Sequence, residues 1–404
     1  MTKQRSNSQP TGRNGRRRGY VSILALMLIV IGVVTLMLVV NWTFLVLASR
    51  RTLQLTDTLA LSAVAELLDD DKLLRPSLQP APGVTQDDDV LDAEEIITLP
   101  TTGFLARNNA GLSERFRPQV SELTIAAGYV DDASQSVTGG NALETSPGAG
   151  EKYNSLRVEV LRDPNGLTPV YLLMRGFGSP DTAKITGSSI ATLDSRVVGY
   201  RPRTNAPSPV APLAILDLDW TAREIEPGLD SNGNHRLEID VVLKSTSGGG
   251  PSNGVLFNPD STAGGVSAAD IPGQVTSGLL PVDVDPSGIF GPLAPTAPLF
   301  TAATDTSPGN VAAIASAFDN LTLPGNDSRR VFPLFRSYST MSGDAELIGF
   351  VACDVLGADA IGSRLRVRLE PTFIVHFTAE TRRTFPGATS VPENVYVHKI
   401  RLTR

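Results

Sequence analysis

Apolar positions are arranged along this chain in three different ways, and each arrangement predicts a different element. Between Tyr20 and Val40 there is no charged residue, and Ser22 and Thr35 are the only polar interruptions. The run continues through Asn41 and Trp42 to Leu47. About 20 apolar residues at ~1.5 Å each span a bilayer, so residues 20–47 are expected to form a transmembrane helix. From 48 to 75 the pattern changes. Leu53, Ala60, Ala63, Val64 and Leu67 recur at three- and four-residue spacing, with Asp57 among them. That is one apolar stripe on a helix, and it needs a partner, either this chain's own domain or another chain. Pro76 ends it.

Beyond residue 100 the period shortens to two. "VSELTIAAGYV", "SSIATLDSRVVGY", "LAILDLDW", "HRLEIDVVLK", "LIGFVACDVL" and "NVYVHKIRLTR" read as strands. "NSLRVEVLRDPNGLTPVYLLMRGF" reads as a hairpin about Asp163-Pro-Asn-Gly166. Arg364, Arg366 and Arg368 alternate with Leu365, Val367 and Leu369, a strand with one solvated face. "GNVAAIASAFDN" (309–320) predicts a short helix. Residues 245–273 and 285–308, rich in Gly, Ser, Asn and Pro, read as long loops. The expected fold class is α+β: a basic tail (1–19), a transmembrane helix (20–47), a juxtamembrane helix (48–75) and an acidic linker (76–100). A β-rich lobe (101–205) and a second one (206–404) follow, divided by the stiff connector "RPRTNAPSPVAP".

Composition sharpens this. With 36 glycines and 29 prolines in 404 residues, turns and short strands are favoured over a helical bundle. The single cysteine, Cys353, rules out an intramolecular disulfide and a cysteine-based zinc site. The first 20 residues carry Lys3, Arg5, Arg13, Arg16, Arg17 and Arg18 and no acid, yet the whole chain is −7. An acidic body argues against nucleic-acid binding.

That asymmetry also orients the helix. Arg16, Arg17 and Arg18 lie on its N-terminal side in the larger positive cluster, and only Arg50 and Arg51 flank the other. Positive residues stay inside, so the N-terminus is expected in the cytoplasm of a bacterium and the C-terminal domain in the periplasm, with the inner membrane between. Trp42 lies where an interfacial aromatic belongs. A cleaved signal has an apolar region of only ~7–15 residues, and "LVLASRR" is a poor small-residue cleavage site, so a retained anchor is expected. "RRGYV" partly resembles a twin-arginine signal. "GYVSIL" resembles a prepilin site, except that Leu24 stands where a prepilin has glutamate.

Little reads as catalytic chemistry. There is no P-loop, His235, His376 and His398 lack H-E-x-x-H spacing, and Asp181 stands where a dinucleotide fingerprint begun at Gly176 and Gly178 needs its third glycine. Asp230, Asn232, Asn234 and Glu238 alternate as calcium loops place oxygen ligands, but Gly233 is fourth rather than sixth and Val241 holds the twelfth position. A Gly-Asn turn explains the same letters. No catalytic residue, cofactor or metal is therefore assigned.

The basic start followed by "RRRGYVSILALMLIVIGVVTLML" and the Asp-centred "LTDTLALSAVAELL" resembles the N-terminus of the TadE/TadG-like proteins of tight-adherence (Flp) pilus machinery. The resemblance covers roughly residues 15–70 and matches Asp57 to the family's aspartate and Ala60, Ala63 and Ala65 to its small residues. It implies a structural, non-enzymatic envelope component, with the bilayer, pilus or secretion proteins and a second copy of the chain as candidate partners. Some members carry a D-x-S-x-S metal site; here Asp217-Leu-Asp219-Trp-Thr221 departs from it at both serines. The alternatives are a membrane-tethered hydrolase or glycan-binding protein, and a minor pilin-like subunit.

Overall fold

The computed structural model describes residues 15–68, 70–75, 87–99, 103–110, 118–137, 142–146, 152–163, 169–172, 182–222, 230–243, 253–257, 270–284, 299–301, 308–338, 344–361, 364–382 and 393–403. In chain order the elements are α1 (Gly15–Ala63), α2 (Asp87–Thr98), α3 (Phe104–Asn109), β1 (Leu123–Gly128), β2 (Ser155–Arg162), β3 (Val170–Tyr171), β4 (Thr182–Ala183), β5 (Ile185–Asp194) and β6 (Val197–Tyr200). Then come β7 (Leu213–Leu216), α4 (Asp217–Ala222), β8 (Ile239–Val242), β9 (Gly254–Leu256), α5 (Ile271–Ser277), β10 (Leu299–Thr301) and α6 (Pro308–Leu321). The chain closes with β11 (Arg329–Tyr338), β12 (Asp344–Ile361), β13 (Arg364–Pro371), β14 (Ile374–Val375), β15 (Ala379–Thr381) and β16 (Val397–Leu402). A long apolar helix followed by a strand-rich region of mixed helix and sheet is an α+β layout.

α1 is 49 residues long, about 74 Å at the rise of an α-helix. Among the described residues it is the one helix long and apolar enough to cross a membrane. From Ile23 to Val39 most apolar side chains are exposed, only Val34 and Met37 being half-buried, and Trp42 is 70% exposed. Its hydroxyls turn inward: Thr35 donates to the Ile31 carbonyl and Thr43 to Val39, each at 2.8 Å. Burial then grows along the helix: Asn41 is covered, and so are Ala48, Thr52, Thr56, Leu59, Ala60, Ala63, Val64 and Leu67.

The chain divides into two compact units. The first comprises residues 1–56, 108–124 and 159–188. There Ala48, Phe44 and Leu45 of α1 pack with Val170 and Ile185. Gly187 lies so near Thr52 that a Cβ would come within 2.8 Å of its methyl, so only glycine permits this approach of helix and strand.

The second unit comprises 57–107, 125–158 and 189–404. Its centre is a seven-stranded sheet of order β8-β13-β12-β11-β7-β9, with β10 also paired to β12. β7 runs parallel to β11 and the other pairs of this sheet are antiparallel. Period-two alternation sends side chains to two different cores. On one face Leu213, Ile215, Phe332, Val351, Cys353 and Val355 pack with Val311, Ile314 and Phe318 of α6. On the other, Ala214, Val331, Phe350 and Ala352 pack with Tyr200, Ile374 and Val397. A sheet covered on both faces explains why "LAIL" and "FVAC" read as continuous apolar runs.

A second sheet has the order β1-β2-β5-β16-β14, so the C-terminal strand is interior to it. β16 runs antiparallel to β5, with Lys399 opposite Asp194 and Leu402 opposite Ala191, and parallel to β14.

Several expectations change. β2 and β3 do not form a hairpin: β2 lies between β1 and β5, and β3 pairs with β4. Local turn chemistry was outweighed by long-range pairing. The stretch expected to be an acidic linker contains α2. α2 buries Ala93 and Ile97 and packs against residues 64–67. The compact units do not divide at 205–215. "LAILDLDW" is half strand, β7, and half helix, α4. The Pro164–Gly166 turn, Gly176–Asp181, residues 76–86 and most of 245–273 and 285–308 lie outside the described residues.

Candidate functional site

The expected helix interaction face is largely occupied within the chain. Ala60, Ala63, Val64 and Leu67 are buried, and Leu53 and Asp57 are half-buried. Asp57 accepts a 2.5 Å hydrogen bond from the Ser189 hydroxyl of β5. A charged acceptor makes this a strong bond, and it joins the extension of the apolar helix to the strand-rich body. The side chains of Arg16, Arg17 and Arg18 lie outside the described set.

The calcium candidates occupy a loop with its own hydrogen bonds. Gly233 and His235 take positive φ (75° and 68°), which tightens the loop. Asn232 and Asn234 turn their amide N–H groups to Glu370, at 2.6 and 2.8 Å. Their oxygens accept the backbone N–H of Asn234 and Arg236. Glu238 accepts from the Ser231 backbone and hydroxyl, at 2.6 and 2.5 Å. Asp230 pairs with Arg75 at 2.7 Å. One oxygen each of Asp230 and Glu238 is held in this way, whereas Asp230 Oδ1 and Glu238 Oε2 are buried without a hydrogen bond; among the described residues no group of three or more His, Cys, Asp or Glu is arranged to hold a metal ion. Glu370 and Arg75 are the partners that sequence reading missed, since 138 and 155 residues separate them from theirs.

Asp217 and Asp219 fall in the first turn of α4, and the Thr221 hydroxyl donates to the Asp217 carbonyl at 3.0 Å, an intrahelical bond. Gly250-Pro-Ser-Asn-Gly254 fits the letters of a nucleophile elbow, G-x-S-x-G. That elbow needs a strand–turn–helix setting, whereas Gly254 opens strand β9; Ser252 lies outside the described residues.

The second unit contains a cavity of about 350 Å³. Leu67 and Lys72 line it from the segment after α1, Tyr129 and Lys152–Asn154 from the flanks of β1 and β2, and Leu193 and Ser195 from the end of β5. Phe373, Glu393 and His398 complete it from around β14 and β16. Two asparagines stiffen its walls. Asn154 bonds both the N–H and the carbonyl of Val130, at 2.8 and 2.9 Å. Asn394 bonds the Phe350 carbonyl and accepts from Tyr396 and Val397.

His398 is buried, with Nε2 3.0 Å from the Val395 carbonyl. A carbonyl only accepts, so Nε2 carries the proton and Nδ1 of the neutral ring presents a lone pair. Nδ1 is buried with no hydrogen-bond partner. Burial, aided by Lys72, lowers this histidine's pKa to about 4, against the raising influence of Val395 and Asp194. No single short motif marks the cavity, because its walls come from segments spread between residues 67 and 398.

No protein-family model, curated protein or solved structure matches this chain.

Proposed function

We propose that this chain is a single-pass protein of a bacterial inner membrane, anchored by α1, with its strand-rich domain in the periplasm. In this reading it is a structural component of the envelope, similar to the TadG-like proteins of Flp pilus assembly. The observation that carries the anchoring is the largely exposed apolar surface of α1 from Ile23 to Val39. In water such a surface is strongly unfavourable, whereas in lipid it needs no cover. The inward-bonded threonines suit an apolar surrounding, and the basic residues before the helix favour a cytoplasmic N-terminus.

The pilus-assembly part rests on the resemblance of residues 15–70. The anchoring is tested by alkaline carbonate extraction and by protease digestion of spheroplasts. Retention in the membrane with digestion of the C-terminal domain is expected; release of the full chain by carbonate contradicts it. The assembly role is tested by photocrosslinking in native membranes. Pilus or secretion proteins should be captured, and their absence from every adduct removes that role.

A further inference from the structure

We infer that the β3–β4 end of the first unit lies in the headgroup layer of the bilayer, with Tyr171 at the depth of Trp42, so that lipid itself is a partner of this domain. The inference rests on the anchoring of α1 proposed above. Residues 19–49 carry no charge, about 46 Å of helix. That exceeds the ~30 Å hydrocarbon core of a bilayer and matches the ~40–45 Å it measures with both headgroup layers. The stretch of α1 from Trp42 to Ala48 then belongs to the headgroup layer on the C-terminal side. Its surface agrees with that depth: Val46 and Leu47 are still exposed apolar residues, and the first charge is Arg50.

Two contacts set the depth of the strands against this helix. Ile185, at the start of β5, packs in one cluster with Ala48, and Gly187 lies against Thr52. Two strand residues advance about 6.6 Å and four helix residues about 6 Å, so β5 follows α1 nearly in step. Carried back towards the bilayer at the same rate, β4 comes level with Trp42–Phe44. Val170 of β3 agrees, because it stands opposite Ala183 and packs in the cluster that Phe44 and Leu45 join. Tyr171 stands opposite Thr182 and is 40% exposed, and Trp42 is 70% exposed. Trp and Tyr collect at the membrane interface because the ring is apolar and the N–H or O–H stays wet. The fold thus brings one of each to a single depth, where the span ends.

The test uses the full chain in phospholipid nanodiscs, with one nitroxide label at Val30→Cys, Tyr171→Cys, Lys184→Cys or Ser188→Cys. Cys353 is fully buried, and the natural chain serves as the control for its labelling. Collisions of each label with oxygen, which concentrates in lipid, are compared with collisions with a water-soluble nickel chelate. The oxygen-to-nickel ratio should be highest at 30, intermediate at 171 and 184 and lowest at 188, with severalfold steps between the three levels. Lys184 and Ser188 are exposed, so their labels leave the fold intact and decide the matter if the Tyr171 variant does not fold. A label in lipid at 30, with 171 and 184 as aqueous as 188, overturns the inference and leaves the anchoring standing. Labels at 171 and 184 that neither probe reaches also overturn it, by showing cover from a second copy of the chain. An aqueous label at 30 removes the anchoring, and this inference with it.

Discussion

Buried polar side chains decide how this protein responds to acid and to point substitution. His376 and His398 both have folded pKa values of about 4, chiefly through burial, against 6.5 for free histidine. Above pH 6.5 both states are neutral and the shift has no effect. As pH falls from 6.5 towards 4 the unfolded chain takes up protons that the folded one refuses, so stability is lost across that window. For His398 the loss is on the order of 3 kcal/mol. Urea midpoints between pH 7 and 4 should therefore fall, and His398→Asn should fall less steeply than the natural chain; equal slopes would contradict this. The Asp57–Ser189 bond gives a second prediction. Ser189→Ala should cost roughly 1.5–3 kcal/mol, the range for bonds to charged groups, read from urea unfolding at pH 7. Asp57 is conspicuous in the sequence, standing alone in an apolar helix. Ser189 is not, because its importance comes only from what it meets 132 residues away.

At the scale of elements, the two ends of the chain behave differently. In α1 a charge at the middle of the apolar run, Val30→Arg, should oppose membrane insertion by about 2.5–3.5 kcal/mol. The fraction resisting carbonate extraction should drop accordingly. The last strand is a structural keystone. β16 lies between β5 and β14, and beyond it Thr403 joins Thr192 and Ser155 in a chain of buried hydroxyls, each link 2.8 Å. Removing residues 397–404 should abolish cooperative unfolding, monitored by near-ultraviolet circular dichroism. The alternation in "NVYVHKIRLTR" was enough to read a strand, but an interior place in a sheet leaves no mark of its own. α2 shows the converse. Its acidic letters suggested a solvated linker, and only the burial of Ala93 and Ile97 and the packing of α2 against residues 64–67 reveal a packed helix.

For the whole molecule, anchor and domain should be separable. A chain lacking residues 1–43 should be soluble and keep the urea midpoint of the intact protein. A chain lacking residues 1–67 also loses Leu59, Ala60, Ala63, Val64 and Leu67, all buried. It should be destabilised by at least about 3 kcal/mol, given ~1.5–3 kcal/mol for each large apolar side chain. Equal stability of the two would mean that the buried stripe contributes nothing to the fold.

The sequence by itself determined what depends on neighbours in the chain. The apolar span of α1, the stripe from Ala60 to Leu67, the alternation of β13 and the helix α6 each follow from local periodicity, and local periodicity is legible. Only the tertiary structure decided what depends on meetings between distant residues. It turned the supposed hairpin into strands of two sheets, tied Asn232 and Asn234 to Glu370, and gathered the cavity around His398. The pairing of β16 with β5 and the walls of the cavity are made by contacts across two hundred or more residues. The free energy of such contacts lies in shape and burial, which no short stretch of letters records.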